Sequence, residues 1–257
     1  MRVGLMIGMT ALTLAGCASL AGSQARPYLA KGAYDARQAV PPPPPAGSAT
    51  AERDRAIFLA TRRLKDTPRW SLARRDASKA GVVDAYSCAL DVTPSRRATP
   101  RLASLLERIA RDVRPAVSAP KRLYDRKRPY QVDRGPICVR SGLITALTPD
   151  YPSGHATWGW TVGLVLAKAQ PQRADAILAR ARAYGESRVV CGVHNASSVE
   201  AGRLNATALV DALDASPAFA ADLAAVSREL DAARAAGPAP DPARCAAEAA
   251  LLARPLS

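Results

Sequence analysis

The chain has 257 residues, of which 36 are lysine or arginine and 22 are aspartate or glutamate, so its formal net charge is +14. A surface this basic suits nucleic acid, anionic lipid or phosphorylated small molecules, and charge alone does not choose among them. The sequence has no zinc-finger spacing, aromatic RNA-binding signature or lysine-rich tail, so we predict no nucleic-acid partner. After the N-terminal apolar run, no stretch has the roughly 20 apolar residues that a membrane-spanning helix needs.

The N-terminus has the pattern of a secretory signal. One arginine precedes an apolar run from Val3 to Leu14, and small residues follow it. The ending Leu-Ala-Gly-Cys at residues 14–17 resembles the bacterial lipobox, whose cysteine is acylated and becomes the new N-terminus. We expect residues 1–16 to be removed and Cys17 to anchor a periplasmic protein to the outer membrane. The alternative is an ordinary cleavage site with a chance cysteine.

Residues 17–47 are predicted to form a tether between the membrane and a folded domain. They contain several small residues and the five consecutive prolines Pro41 to Pro45. Such a run favours an extended polyproline II conformation. The tether would end where the helical pattern begins, so that residues 48–257 form one all-α domain without internal repeats.

The helical pattern of this domain has recognisable starts and stops. Thr67-Pro68 and Thr99-Pro100 are typical helix starts, with threonine as N-cap and proline in the first turn. The segment 158–169 is apolar nearly all round, which predicts a central buried helix, and Gln170-Pro171 would end it. Later helices are predicted around residues 177–184, 204–213 and 219–230, and a short one around Cys245.

Four cysteines remain beyond Cys17, namely Cys88, Cys138, Cys191 and Cys245. An even number in an exported protein predicts two disulfides, and three pairings are open. No two of these cysteines have the short spacing of a zinc site, so we predict no structural zinc.

The chain has only two histidines, and both lie in sequences suited to anion chemistry. His155 closes the sequence Pro-Ser-Gly-His at residues 152–155, where the buried helix is predicted to begin. The N–H groups at a helix start are unsatisfied and form an anion site. His194 follows Arg188 by six residues. Each feature alone is common in proteins, and a single histidine is more often structural than catalytic.

A third basic cluster contains Lys121 and Arg128. If the segment is helical, these seven-apart side chains share one face, and Pro129 would end the helix close to Arg128. Two cations on one face, a histidine at a helix start and an arginine close to another histidine supply what phosphoryl transfer needs. The cations neutralise the phosphate oxygens, one imidazole attacks, and the other protonates the leaving group.

Three blocks, in order, resemble the signature of the type 2 phosphatidic acid phosphatase superfamily, which also includes the vanadium haloperoxidases. The blocks are Lys121-(six residues)-Arg128-Pro129, then residues 152–155, then Ser187-Arg188-(five residues)-His194. The surrounding sequence, over most of residues 40–235, narrows the resemblance to the class A bacterial non-specific acid phosphatases. The resemblance implies the all-α fold of these enzymes, a periplasmic or membrane-tethered protein that is often a homo-oligomer, and no metal or other cofactor.

The resemblance also assigns roles by matching position. His194 would be the nucleophile that forms a phosphohistidine, and His155 would protonate the leaving oxygen and then activate water. The disulfides would be Cys138–Cys191 and Cys88–Cys245. The phosphate would be held by the cationic side chains and the helix start of the motif, that is, by Lys121, Arg128, Ser153, Gly154 and Arg188.

One position departs from the family pattern. The family has an aspartate four residues after the nucleophilic histidine, where it orients the ring and stabilises its cationic form, and this chain has Ser198 there. Glu200 is the nearest carboxylate, but its spacing does not make it a substitute. We therefore expect a slow phosphatase whose turnover would rise on Ser198→Asp. The competing expectation is that Glu200 fills the role through a shifted backbone.

The predicted function is the hydrolysis of soluble phosphate monoesters to an alcohol and inorganic phosphate. One alternative is a pseudoenzyme, an anion-binding lipoprotein that kept the phosphate cradle and lost turnover, and Ser198 is the residue that favours it. A second is a lipid-phosphate phosphatase, against which the absence of a predicted transmembrane helix argues. A vanadate-dependent haloperoxidase shares the site, but the whole-chain resemblance favours the phosphatases.

Overall fold

The computed structural model describes residues 26–79, 81–140, 147–253 and 256, so the signal sequence and Cys17 lie outside it. Across these ranges the chain is helical and has no strand, which confirms the predicted all-α class. None of the helices within them has the length and apolar character of a membrane span. The helices are α1 (Ala36–Ala39), α2 (Ala49–Thr61), α3 (Pro68–Arg75), α4 (Val82–Ala85), α5 (Ser87–Leu90), α6 (Pro100–Leu123), α7 (Pro129–Val132), α8 (Gly154–Ala169), α9 (Ala174–Val190), α10 (Ala196–Asp214), α11 (Pro217–Ala236) and α12 (Pro242–Leu252).

The central buried helix is α8, and two of its glycines let α9 approach it closely. A Cβ atom on Gly159 would lie 2.2 Å from the ring of Tyr184, and one on Gly163 would lie 2.4 Å from the Cβ of Ala181. Side chains at these glycines would therefore separate the two helices. Because the contacts pair later residues of α8 with earlier residues of α9, the helices are antiparallel. The first turn of α8 consequently lies beside the last turn of α9, which brings the second and third sequence motifs together.

The start of α8 is also fixed by α10. The backbone N–H of Ser153 donates to the carbonyl of Ser198, at 2.9 Å. A Cβ atom on Gly202 would lie only 2.7 Å from the carbonyl oxygen of Ser153, so this position has no room for a side chain. The backbone at the start of α8 is thus held against the first turns of α10.

The two predicted threonine caps differ in the structure. Thr67 caps α3 as expected, because its side chain accepts a hydrogen bond from the backbone N–H of Trp70. Thr99 makes no such bond to α6. Instead, the carboxylate of Glu229 on α11 accepts from the first N–H groups of α6 at 2.8 and 2.9 Å. A carboxylate at a helix start is favourable by charge as well, so α11 supplies the cap from a distant part of the chain.

A tether is predicted over residues 17–47. Its described part, residues 26–47, packs against the helices instead of forming an extended linker. The backbone N–H of Tyr28 donates to Asp112 on α6 at 3.0 Å, and its hydroxyl donates to Asp222 on α11 at 2.6 Å. The prediction weighed the prolines and small residues, but the segment also carries aromatic and aliphatic side chains that the helices bury. The folded unit therefore begins well before residue 48.

Both disulfides that the family resemblance implied are present, Cys88–Cys245 and Cys138–Cys191. The first fastens α12 to α5, and the second joins the segment after α7 to the end of α9. Their sequence separations are 157 and 53 residues. In the chain-entropy model, closing loops of these lengths stabilises the fold by about 4 to 5 kcal/mol each.

Candidate active site

The first motif approaches the second histidine, but not through one continuous helix. The condition that the segment be helical through Arg128 is not met, because α6 ends at Leu123 and Arg128 lies in an extended segment. Pro129 then begins α7 instead of ending α6. The chain nevertheless turns back, so that a guanidinium nitrogen of Arg128, Nη1, lies 3.1 Å from Nε2 of His194. Lys121 remains close enough for its charge to act on the same imidazole.

The hydrogen bonds of His194 define its tautomer. A guanidinium can only donate, so Nε2 of His194 must accept from Arg128 through its lone pair. The ring proton is therefore on Nδ1, which donates to Oδ1 of Asp150 at 2.8 Å. Burial, followed by the charges of Arg128 and Lys121, holds the pKa of His194 well below its usual range. The result is a neutral imidazole with a directed lone pair on Nε2, as nucleophilic attack requires.

Asp150 is a site residue that the sequence analysis missed. Its carboxylate is fully buried. It accepts hydrogen bonds from the hydroxyl of Ser198 and from the backbone and side-chain nitrogens of Asn195, the last two at 3.2 and 2.9 Å. Burial raises the pKa of Asp150, while the Ser198 and Asn195 donors and the nearby Arg126 guanidinium act in the opposite direction. The carboxylate that contacts the His194 ring thus comes from the segment before α8.

Neither residue considered for the orienting role contacts the imidazole in this way. The Ser198 hydroxyl donates to Asp150, so this side chain holds the carboxylate that orients the ring. The Glu200 carboxylate pairs with Arg203 at 2.9 Å, and 54% of the Glu200 side chain is exposed. The expected gain from Ser198→Asp loses its basis, because a carboxylate already contacts His194 and a second one would face it at hydrogen-bonding distance.

The guanidinium of Arg188 is buried, and no carboxylate among the described residues forms an ion pair with it. Its Nε and Nη1 atoms have no hydrogen-bond partner within the described part of the chain. Burial lowers the pKa of Arg188 to about 10, so the group is still charged at neutral pH. An unpaired buried charge is costly to a fold and is expected where it binds something. Arg188 is therefore a candidate for binding an anionic ligand.

The start of α8 adds backbone donors and a further cation. Ser153 is the N-cap, and its hydroxyl accepts from the N–H of Ala156, so its side chain is occupied. A Cβ atom at Gly154 would lie 3.9 Å from Nζ of Lys79. Lys79 is exposed as a residue, but partial desolvation of its ammonium group, followed by the charge of Arg188, lowers its pKa. Lys79 is a single lysine between α3 and α4, and no sequence pattern pointed to it.

His155 has the opposite tautomer from His194. Its Nε2 lies 2.9 Å from the carbonyl oxygen of Ala77, and since a carbonyl only accepts, the ring proton is on Nε2. The lone pair is therefore on Nδ1. Burial, followed by the charges of Arg188 and Lys79, holds the pKa of His155 well below its usual range. In the ligand-free site this second imidazole is neutral and can take up a proton.

Lys121 completes the set of cations. Its ammonium group donates to the carbonyl of Pro149, next to Asp150. Burial, followed by the charge of Arg128, lowers the pKa of Lys121 to about 7. The residues described contain no group of three histidine, cysteine, aspartate or glutamate side chains that could hold a metal ion. The site therefore offers positive charge through side chains and a helix start.

Comparison with known proteins places all three motifs within a matched region. A sequence model of the PAP2 superfamily matches residues 104–213. An acid phosphatase of Zymomonas mobilis is 38% identical over 212 residues, which is 80% of each chain. A non-specific acid phosphatase of Providencia stuartii is 34% identical over 73% of this chain and 77% of its own. One from Salmonella typhimurium is 32% identical over 74% and 78%.

Proposed function

The chain belongs to the PAP2 superfamily and, within it, to the bacterial non-specific acid phosphatases, and on this premise we propose that it hydrolyses phosphate monoesters through a phosphohistidine at His194. The observation that carries the proposal is the buried guanidinium of Arg188, whose donors are unsatisfied within the described part of the chain, close to a neutral imidazole with a fixed lone pair. A phosphoryl group satisfies both, since its oxygens take the hydrogen bonds and its phosphorus takes the lone pair.

In the first step Nε2 of His194 forms a bond to phosphorus while the ester P–O bond breaks. Arg128 must release Nε2 as the phosphate enters. Its guanidinium then donates hydrogen bonds to the phosphate oxygens, together with Lys121 and Arg188. The leaving oxygen takes a proton from Nδ1 of His155. In the second step a water gives a proton to the same nitrogen and attacks phosphorus, which breaks the N–P bond and restores the neutral His194 ring. The proton on His155 then leaves with the phosphate, so His155 is neutral again.

The proton for the leaving group can come from the substrate. His155 is neutral in the ligand-free site because burial and the neighbouring cations disfavour its charged form. A phosphate monoester is largely monoanionic below its second pKa of about 6. This monoanion brings one proton, and its negative charge offsets the cations that kept His155 neutral. Proton transfer from substrate to His155 and then to the leaving oxygen makes the reaction favour acidic conditions.

The pseudoenzyme alternative is not favoured. It was based on Ser198 standing where the family has a carboxylate. Asp150 supplies a carboxylate to the same ring nitrogen, at 2.8 Å from Nδ1 of His194. With that contact in place, the site has a nucleophile, an orienting carboxylate, a second imidazole and a set of cations.

The direct test is phosphate release by the purified protein from a panel of aryl, sugar and nucleoside monophosphates. We expect hydrolysis of the monoesters, little hydrolysis of a phosphodiester, and no change on adding a chelator. Each substrate is followed from acidic to mildly alkaline pH. The KM should rise above about pH 7, because Lys121 then loses its charge in the free site.

The control for this pH dependence distinguishes the titration of Lys121 from the titration of the substrate. Lys121→Met should flatten the rise in KM, whereas Lys127→Met, at an exposed neighbouring position, should leave it unchanged. The titration of the substrate is common to all three proteins, so only the difference between them reports on Lys121. Failure to release phosphate from any monoester over the whole pH range would refute the proposed function.

The lipid anchor at Cys17 and the outer-membrane location are likewise proposals. Their support is the Leu-Ala-Gly-Cys sequence at residues 14–17, after an apolar run. Cys17→Ser should abolish incorporation of labelled fatty acid and release the protein from washed membranes. Equal membrane retention of the variant and the natural protein would contradict the anchor.

A further inference from the structure

We propose that Asp150 is the positioning carboxylate of His194, and that this chain has moved the carboxylate from the fourth residue after the histidine to the segment before α8. Ser198, at the family's aspartate position, is the hydrogen-bond donor that holds it. The inference rests on the proposed function, because it takes His194 as the nucleophile. It goes further by assigning to Asp150 a role that no sequence motif predicts.

Asp150 and Ser198 lie next to each other at the ring of His194. Oδ1 of Asp150 lies 2.8 Å from Nδ1 of His194, and Oδ2 accepts the hydroxyl proton of Ser198. The positions 150 and 198 are therefore neighbours around the same side of the ring, although 48 residues separate them in the chain. A carboxylate placed at either position would reach the same region. A carboxylate at both would bring two negative charges into hydrogen-bonding distance.

The carboxylate of Asp150 is held rigidly by its hydrogen bonds. The two oxygens of Asp150 receive four hydrogen bonds, from His194, from Ser198 and from both nitrogens of Asn195. The guanidinium of Arg126 lies 3.6 Å from Oδ2 and also donates to Asp54 of α2 at 2.8 Å. A carboxylate with this many donors has one orientation. The imidazole that it binds is therefore held in one orientation too.

The negative charge of Asp150 has two tasks at the ring of His194. A carboxylate at Nδ1 fixes the proton there, leaves the lone pair on Nε2, and stabilises the positive ring of the phosphohistidine. A serine hydroxyl could hold the ring but has no charge for the second task. Because Asp150 provides the negative charge, the serine at position 198 does not leave the ring without an orienting carboxylate. The turnover of the natural protein is thus expected to be that of an intact site, and the slow phosphatase predicted from Ser198 is revised.

The first experiment replaces Asp150 by its isosteric amide. Asp150→Asn should lower kcat by about 10³- to 10⁴-fold, as removal of the orienting charge does in a serine-protease triad. The KM and the inhibition constant of inorganic phosphate should change only a few-fold, because the cations are untouched. Asp125→Asn removes an exposed carboxylate and should leave kcat unchanged. A kcat for Asp150→Asn within about threefold of the natural value would overturn the proposal.

The second experiment exchanges the two side chains. Asp150→Ser alone should lose turnover for lack of a carboxylate, and Ser198→Asp alone should lose turnover through repulsion between two carboxylates. The double variant Asp150→Ser/Ser198→Asp should recover at least about tenfold in kcat over Asp150→Ser. Such non-additivity is expected only if both positions serve one ring. Equal kcat values for the double variant and Asp150→Ser would overturn the exchange.

The third measurement does not depend on turnover. The chain has two histidines, so ¹⁵N-labelled imidazoles give few signals, and His155→Gln assigns them. The Nδ1 proton of His194 should resonate far downfield in the natural protein, be lost or shifted in Asp150→Asn, and return in the double variant. An unchanged resonance in Asp150→Asn would overturn the contact. If the resonance behaves as expected but no monoester is hydrolysed, the proposed function fails and the positioning contact stands.

Thermal unfolding and phosphate binding serve as the controls for folding in each variant. If Asp150→Asn does not fold, the double variant and the natural protein still decide the question through their resonances. The expected result is then the same downfield proton in both proteins. Its absence from the natural protein would overturn the proposal.

Discussion

Replacing His194 by alanine is expected to reduce phosphatase turnover by about 10⁵- to 10⁶-fold, the scale on which a covalent nucleophile matters. The reason is that the site, as far as the structure describes it, holds one other imidazole, and that one has a different task. The ring of His155 is fixed by the carbonyl of Ala77, and its Nδ1 lone pair serves proton transfer. Rapid quenching with a ³²P-labelled monoester should give an acid-labile, base-stable label on the natural protein and none on the variant.

The matched control for this experiment is His155→Ala. An aryl phosphate with a good leaving group needs little protonation, so His194 should still be phosphorylated in this variant. Hydrolysis of the phosphohistidine lacks its base, and the label should therefore accumulate above the level in the natural protein. Label on His194→Ala, or turnover comparable to the natural protein, would contradict His194 as the nucleophile.

Arg188→Met is expected to impair activity and stabilise the fold at the same time. Loss of the guanidinium removes charge-assisted hydrogen bonds to the phosphate, and kcat/KM should fall by about 10²- to 10³-fold, as for other preorganised donors. Yet the natural side chain is buried, its Nε and Nη1 have no hydrogen-bond partner among the residues that the structure describes, and burial lowers its pKa to about 10. An apolar side chain of similar length removes that cost, so the melting temperature without phosphate should rise.

The same helix contains a matched arginine for comparison. Arg180 on α9 is as buried as Arg188, and its Nε also lacks a hydrogen bond within the described residues. Unlike Arg188, however, it forms ion pairs with Asp76 at 2.5 Å and with Glu248 at 3.3 Å. Arg180→Met leaves a buried carboxylate without its cation and should lower the melting temperature. Inorganic phosphate should raise the melting temperature of the natural protein more than that of Arg188→Met. A lower melting temperature for ligand-free Arg188→Met would contradict its role as an unpaired anion-binding group.

The sequence was most informative where the chemistry depends on local spacing. The Pro-Ser-Gly-His block at residues 152–155 predicted a helix start, and α8 begins there at Gly154. Gln170 and Pro171 end that helix as predicted. These features could be predicted because helix starts, caps and prolines act within a few residues of the chain.

Features that depend on tertiary contact were hidden from such reasoning. Asp150 lies 44 residues before His194, so counting from the histidine could not find it. The signal available was an aspartate two residues before the second motif, in a chain that lacks the expected one at position 198. Likewise, local sequence places Tyr28 in a tether, because its partners on α6 and α11 lie 84 and 194 residues away.

The two disulfides are nested, since Cys88–Cys245 encloses Cys138–Cys191. A chain that emerges from its N-terminus into an oxidising compartment presents Cys88 and Cys138 before either native partner. Joining cysteines in order of appearance would therefore couple the wrong pair and hold the segment before α8 away from the end of α9. The native pairing requires either that Cys138 stay reduced until Cys191 emerges and Cys88 until Cys245 emerges, or that an isomerase exchange the first bond. The yield of this protein in a given host thus depends on thiol–disulfide exchange as well as on the stability of the helices.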